Sequence, residues 1–448
     1  MKITNPEEKN LIFKLTIPLF FEFLLYILVS NVDQFMLSSY SQEAVAAIGN
    51  AGQVSWVMTL FFGVVSIAST VLISQYKGAK DEEMEKAIYP VALIFNVVLG
   101  IIISLVCVFC MEPILRLLKV EEGLTFEYAH IYLQIVGGMI VFQAIENCFA
   151  AFLKSNALVK EALVISIIVN IFNVAGNSLA LYVFDWGVPG VAFSSAISRT
   201  LGMLLAIVIF LVKVGKIQFS ILKSCHPFKI LWKMLKIGAP SIGENISYDG
   251  SQLLIMSFIN PMGLATVNAK VYVCIVVQFA YLAGMAASEA MQLVEGQLIG
   301  AGKKDVAARE VFKTQRAGLI IVEIVTLLLF IFSNQIIGIF PSADADVIKI
   351  ANVMLFIELF LELGRVTNMI MVRALQTAGD VNFPILMSVA FTWCVSVTFG
   401  YIFGVVLKWG IAGIWIAMAT DEILRGITLT TRFAKGKWKK INLIEKTY

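Results

Sequence analysis

What most limits the fold open to this chain is the recurrence of apolar runs long enough to cross a bilayer, separated by short polar breaks. A helix needs roughly 20 apolar residues to cross about 30 Å of hydrocarbon. Such runs lie near 12–37, 48–76, 88–111, 126–152, 159–184 and 188–212. After a basic stretch they resume near 237–260, 268–299, 310–339, 347–375, 383–407 and 411–434. The runs are continuous rather than alternating, which predicts helices and argues against a β-barrel. Only 15% of the 448 residues are charged and 59% are hydrophobic, against about 25% charged in soluble domains. The expected fold class is an all-α integral membrane protein with about twelve transmembrane helices. A net charge of +3 gives no footing for a nucleic-acid partner.

The breaks suggest an orientation. Lys77, Lys80 and Lys86, then Lys154 and Lys160, then Lys303, Lys304 and Arg309 fall in alternate loops, while the intervening loops are nearly bare of base. The positive-inside rule then predicts a multi-pass protein of the cytoplasmic membrane with both termini cytoplasmic. The stretch 213–236 mixes lysines with apolar residues and reads as a cytoplasmic amphipathic linker on the inner leaflet. It separates an N-terminal six-helix lobe, 1–212, from a C-terminal six-helix lobe, 237–434, which a basic cytoplasmic tail, 435–448, follows.

The two lobes repeat one another. Pro18 and Glu22 are matched by Pro240 and Glu244 at an offset of 222, and Gln75 meets Gln297. Further on the offset becomes 223, where Ala151-Phe152 meets Ala374-Leu375 and "WGVPG" from Trp186 meets "WGIAG" from Trp409. An even number of spans per half gives both halves one topology, related by an axis along the membrane normal. Two pseudo-symmetric six-helix bundles around a central cleft suit alternating access.

The stretches "NVDQFMLSSYSQEAVAAIGNA", "SQYKGAKDEE", "NIFNVAGN" and "WGVPGVAFSSAIS" in the first half, with "EGQLIGAGKKD" and "RALQTAGDVNFP" in the second, carry a resemblance. They resemble the multidrug and toxin extrusion (MATE) family of antiporters, over essentially the whole chain. The resemblance implies multidrug efflux, the export of small organic, often cationic, compounds in exchange for H⁺ or Na⁺. No P-loop sequence is present, so ATP is not expected to be the direct energy source within this chain. As the resemblance implies a transporter, the chain is expected to be no enzyme and to hold no cofactor beyond its coupling ion, H⁺ or Na⁺. Its expected partners are the organic substrate and the lipid bilayer, and it is expected to act as a monomer. The alternative is a flippase of a lipid-linked or phospholipid precursor, for which Arg365 and Arg373 would supply positive charge.

Charges inside a span are functional candidates by default, because each is costly in hydrocarbon. The resemblance makes Asp33 the first candidate for cation coupling, with Pro18 as the bend in its helix and Na⁺ a candidate ion there; no other metal site is expected. Asn173 and Asn177, four apart and on one helical face, and Ser195 match the family's network around that acid. Many relatives carry Asp where this chain has Asn177, which leaves Asp33 the one acid among those positions. Glu22 and Glu244 each follow a proline, Pro18 or Pro240, by one turn and are candidates for coupling or gating, as is Asp249. At the position where some relatives carry an acid for Na⁺ this chain has Arg365, expected to pair with Glu362, Glu244 or Asp249 as an ion pair or gate.

Overall fold

A computed structural model describes residues 11–38, 40–117, 120, 122–341 and 343–444; the side chains of 29–34 and 117 lie outside the described residues. Twelve long helical stretches follow one another. They are α1 (Leu11–Ser38), α2 (Gln42–Ala79), α3 (Glu82–Phe109), α4 (Leu124–Gly137 with Ile140–Ser155), α5 (Val159–Val183) and α6 (Gly187–Lys213). Then come α7 (Pro227–Ile259), α8 (Leu264–Gly300), α9 (Lys304–Ile331), α10 (Ala345–Thr377), α11 (Asn382–Val406) and α12 (Gly410–Ala434).

Among the described residues eight helices are long and apolar enough to cross a membrane alone, and the two parts of α4, bent by 50°, make a ninth. The bend falls after a π-helical turn, Leu133–Gly137, at the pair Gly137-Gly138, a usual cause of a kink. The other three stretches, α7, α10 and α12, are as long but carry charges in mid-helix, among them Glu244, Glu362 and Glu422.

Local signals set several helix ends. Ser41 accepts a hydrogen bond from the Ala44 amide at 3.0 Å, and Asp344 one from Val347 at 2.9 Å, each satisfying an amide of a helical first turn. Lys80 ends α2 in the left-handed conformation. These caps carry α2 past the apolar run at 48–76 that marked it in the sequence.

The internal repeat is visible in the backbone. Lys80 and Gly302, 222 apart, both have positive φ (59° and 78°), as do Ala157 and Gly379 (60° and 91°). Asp185 and Lys408 (51° and 58°), and Gly187 and Gly410 (55° and 61°), are 223 apart. The π-helical turns Leu179–Val183 and Ile402–Val406 share that second offset. α4 and α10 end at Ser155 and Thr377, still 222 apart. The offset therefore changes in the turn after α10, and the pairing of Ala151-Phe152 with Ala374-Leu375 is corrected by one residue. A residue added inside a helix rotates everything beyond it by about 100°; a turn absorbs it.

Two compact units divide the described chain: residues 21–238, and residues 11–20 together with 239–444. The division crosses two helices, and in each the crossing lies within three residues of a proline, Pro18 in α1 and Pro240 in α7. In α1, Leu11, Leu15 and Leu19 form a buried stripe at i, i+4 spacing. Residues 213–236 differ from the expected separate linker. A 3-10 turn, Phe219–Lys223, is followed by the first turns of α7, which run unbroken into the span. Gly238 explains the seating of these turns in the first unit, since a Cβ there would lie 1.8 Å from the Val64 carbonyl oxygen.

The chain beyond α12 folds back over the second unit. Trp438 is buried, stacks on Phe433 at 4.8 Å and donates to the Phe433 carbonyl at 2.9 Å. Lys304, at the start of α9, donates to the carbonyls of Lys439 (2.6 Å) and Ile441 (3.1 Å). Lys439 pairs with Asp305, and Gly379 leaves room for Leu443 and Ile441.

Candidate functional site

In the second unit α10 and α12 lie close because Gly364 has no side chain: a Cβ there would sit 2.3 Å from the Glu422 carbonyl carbon. Charged residues fill that contact. On α10, Glu358, Glu362 and Arg365 follow at four and three residues, so they share one face. Arg365 Nη1 lies 2.9 Å from Glu358 Oε1 and also bonds Glu362 Oε1, and its guanidinium stands 5.3 Å over the Tyr281 ring. The other Glu358 oxygen accepts from Trp415 Nε1 at 2.8 Å. On α12, Arg425 Nη2 is 2.7 Å from Glu422 Oε1 and 3.5 Å from Asp421 Oδ2. Asn368 of α10 donates to both the carbonyl and the carboxylate of Glu422.

Of the six acids and bases that α10 and α12 contribute at this contact, five are buried, Glu362 completely, and Arg365 is half-buried; Asn368 is buried as well. Glu362 Oε2, Asp421 Oδ1 and Arg425 Nε have no hydrogen-bond partner among the described residues. Beside them a cavity of about 70 Å³ is lined by Glu244, Ser247 and Tyr248 of α7, Ser388 and Thr392 of α11, and Arg425. That is far below the roughly 300 Å³ at which drug-sized pockets begin. Water or a small ion fits it. The cluster with Glu244 thus holds five carboxyls, Glu244, Glu358, Glu362, Asp421 and Glu422, against two guanidiniums.

The first unit carries a smaller network. Asn173 donates to Ser195 Oγ at 3.1 Å, and Ser194 donates to the Asn173 carbonyl at 3.1 Å, so α5 and α6 are bridged twice. Gly176 allows this approach, as a Cβ there would be 2.3 Å from Ser194 Oγ. Asn177, one turn beyond Asn173, is buried as well. Glu22 pairs with Lys154 of α4 at 2.8 Å. Glu146 of α4 lies against α6 where Gly202 leaves space, and Arg199 donates to Gln143.

The sequence candidates thus fall in different places. Asn173 and Ser195 meet, and Glu362 and Arg365 meet. Glu244 lines the cavity, and Asp249, five residues further along α7, is exposed. Pro18 and Pro240 lie inside continuous helices. Asp33 falls within α1, but its side chain lies outside the described residues. Sequence reasoning missed Glu358, Asp421, Glu422 and Arg425, and in the first unit Glu146, Lys154 and Arg199. A signal was available for all but Lys154, which reads as a loop charge: each of the others is a charge inside an apolar run, and Asp421, Glu422 and Arg425 have a partner of opposite sign three or four residues away.

The corrected repeat relates the two networks. It matches Gln143 with Arg365, Glu146 with Asn368, and Arg199 with Glu422. One position therefore holds a base on α6 facing amide and acid on α4, and in the other half an acid on α12 facing base and amide on α10.

The Glu22–Lys154 pair is half-buried, with 17% and 14% of the side chains exposed. Lys154→Gln should therefore cost more than the ~1 kcal/mol of an exposed pair and less than the ~3–5 kcal/mol of a buried one. Thermal unfolding in detergent of Lys154→Gln, Glu22→Gln and the double variant checks this. The double variant should lose less than the two single losses added.

The MatE family profile matches residues 18–179 and 240–402. The uncharacterized transporter YisQ of Bacillus subtilis is 34% identical over 442 residues, covering 97% of this chain and 96% of that protein. The probable multidrug resistance protein NorM of Thermotoga maritima is 22% identical, covering 97% and 94%. Among solved structures, a mutant of the Vibrio cholerae MATE transporter VcmN superposes with a TM-score of 0.90 at 18% identity, covering 97% and 98%.

Proposed function

The chain belongs to the MatE family of membrane transporters, and on that premise we propose that it is a secondary antiporter exporting small organic, often cationic, compounds in exchange for protons. The multidrug resistance relatives support the substrate class and the outward direction. It works as a monomer in the cytoplasmic membrane with both termini inside.

The observation that carries the coupling ion is the excess of buried acid in the second unit. Five carboxyls share two guanidiniums, and an uncompensated charge in such a site costs several kcal/mol. The deficit is met by protons held on the carboxyls or by a bound cation. Arg365 already occupies the space between Glu358 and Glu362, which disfavours Na⁺ there and suits a proton. A proton taken up at Glu362 weakens its hold on Arg365 and loosens α10 against α12; its release restores the pair. Drug and proton then compete through that change of contact rather than for one volume.

Uptake of a fluorescent organic cation into proteoliposomes, under separately imposed pH and Na⁺ gradients, tests this reading. Wild type should respond to the pH gradient, and Glu362→Gln should lose at least about tenfold of the driven rate while remaining folded. A response to Na⁺ alone overturns proton coupling. Loss in Asp33→Asn with Glu362→Gln unaffected moves coupling to the first unit.

A further inference from the structure

Residues 291–299 of α8 are buried all round the helix, and among them Glu295 is 1% exposed. Neither of its oxygens has a hydrogen-bond or ion-pair partner among the described residues. One turn earlier, Gln292 Oε1 accepts from Arg373 Nη1 of α10 at 3.0 Å, and Gln292 Nε2 is left without a partner. Arg373 in turn meets no carboxylate among the described residues. A buried acid and an unmatched base thus stand on neighbouring helices, with the base seated on an amide three residues from the acid. Arg365 and its cluster lie eight residues back along α10, about 12 Å away.

The duplicated scaffold does not need these three side chains. At the offset of 222, Gln292, Glu295 and Arg373 correspond to Thr70, Ile73 and Ala151, so α2 packs on α4 without a charge at any of the three positions. Nor do other charges answer Glu295. α8 packs along α9 and α10. On α9, Arg309 and Arg316 are exposed and Glu310 pairs with Lys313. On α10, Asp380 pairs with Arg432 of α12. On α8 itself Glu289 is six residues away, about 120° round the helix.

We propose that Glu295 is a second proton-carrying group of the transporter and that Arg373 is its counter-charge, held by Gln292 while the acid is protonated and passing to Glu295 when the proton leaves. A lone carboxylate is not sustained in such surroundings, so the contacts of α8 are those of the neutral acid. Ionisation needs a cation, and Arg373, hydrogen-bonded one turn away, is the base placed to supply it. The step from Gln292 to Glu295 is a rise of about 4.5 Å. A turn of the arginine side chain or a slip of α10 along α8 covers it. The proton comes from water to the carboxylate and returns there, and the guanidinium keeps its charge throughout. The part played in transport rests on the antiporter reading; the proton site does not.

Infrared spectra of the detergent-purified protein, recorded as the pH is raised, test the site through the carbonyl stretch of protonated carboxyls. Glu295→Gln should lose one such band that Glu362→Gln keeps. Arg373→Gln should hold that band to a pH about 1–3 units higher, because the ionised acid has lost its partner. A full set of bands in folded Glu295→Gln overturns the proposal. If that variant does not fold, Arg373→Gln decides, and an unshifted profile overturns the counter-charge and with it the proposal. Transport reads the second step. With the membrane potential held at zero, each proton exchanged multiplies the organic-cation ratio that one pH unit sustains across proteoliposomes by about tenfold. Glu295→Gln should therefore sustain a ratio about tenfold below wild type while downhill exchange continues. An unchanged ratio removes Glu295 from coupling, and loss of downhill exchange assigns it to the packing of α8; either overturns its role in transport. Wild type that sustains no ratio, with the Glu295 band present, means that the antiporter reading alone has failed.

Discussion

Arg365→Met is expected to destabilise the second unit by about 3–5 kcal/mol, the cost of leaving buried charge without its partner. The single guanidinium bridges Glu358 and Glu362, which are 3% and 0% exposed at their side chains. Neither acid has another cation on α10, and Trp415 satisfies only one oxygen of Glu358. The methionine fits the volume but leaves two carboxyls facing one another. Unfolding midpoints in detergent should fall by about 10 °C. Arg365→Lys should lie between, since an ammonium keeps the charge and loses the planar fork that reaches both acids. Replacing all three residues by methionine should recover most of the loss while abolishing proton-driven transport. A triple variant as unstable as Arg365→Met would mean that packing, not charge, makes this contact.

Gly364→Ala is expected to be as damaging with no charge changed. Its Cβ would fall 2.3 Å from the Glu422 carbon, 2.5 Å from the Ile423 nitrogen and 2.6 Å from the Glu422 oxygen. Those atoms are backbone on a packed helix and cannot turn aside as a side chain does. α10 must move from α12, which opens the Asn368–Glu422 bonds. Overpacking costs typically about 1–3 kcal/mol, and each buried group left unpaired adds about 1–3 kcal/mol. Yield of folded protein and the unfolding midpoint in detergent are the readouts. Gly243→Ala, where a Cβ would meet nothing within 4 Å, serves as the control and should be near neutral.

These two positions also mark what could be read from the sequence. The twelve stretches were legible because hydrocarbon thickness sets a minimum apolar length, and the repeat was legible because Pro18-Glu22 and Pro240-Glu244 keep their spacing. The bend in α4 was not, although Gly137-Gly138 signals it, because the apolar run passes through without a break. The change of composition at 237 predicts a separate linker before it, whereas the helix runs through that position without a break. Arg365 and Glu362 are three apart on one helix, so their pairing lies in the local spacing. The bonds from Trp415 to Glu358 and from Asn368 to Glu422 join residues more than fifty positions apart. They depend on how two helices are rotated, which Gly364 decides and periodicity does not report.

The first turns of α1 impose an order on biosynthesis. Residues 11–20 group with a unit whose remaining residues begin at 239, so 218 residues, 21–238, must be made before their packing surface exists. At about 5–20 residues per second that is a wait of roughly 10–40 s. During it the stripe Leu11, Leu15, Leu19 has only lipid or an insertion factor to cover it. The start of α7 has the reverse situation, emerging when the unit it packs on is already made. Insertion of the second half therefore begins from a helix seated in the first and ends by collecting one that has been waiting since the start of translation.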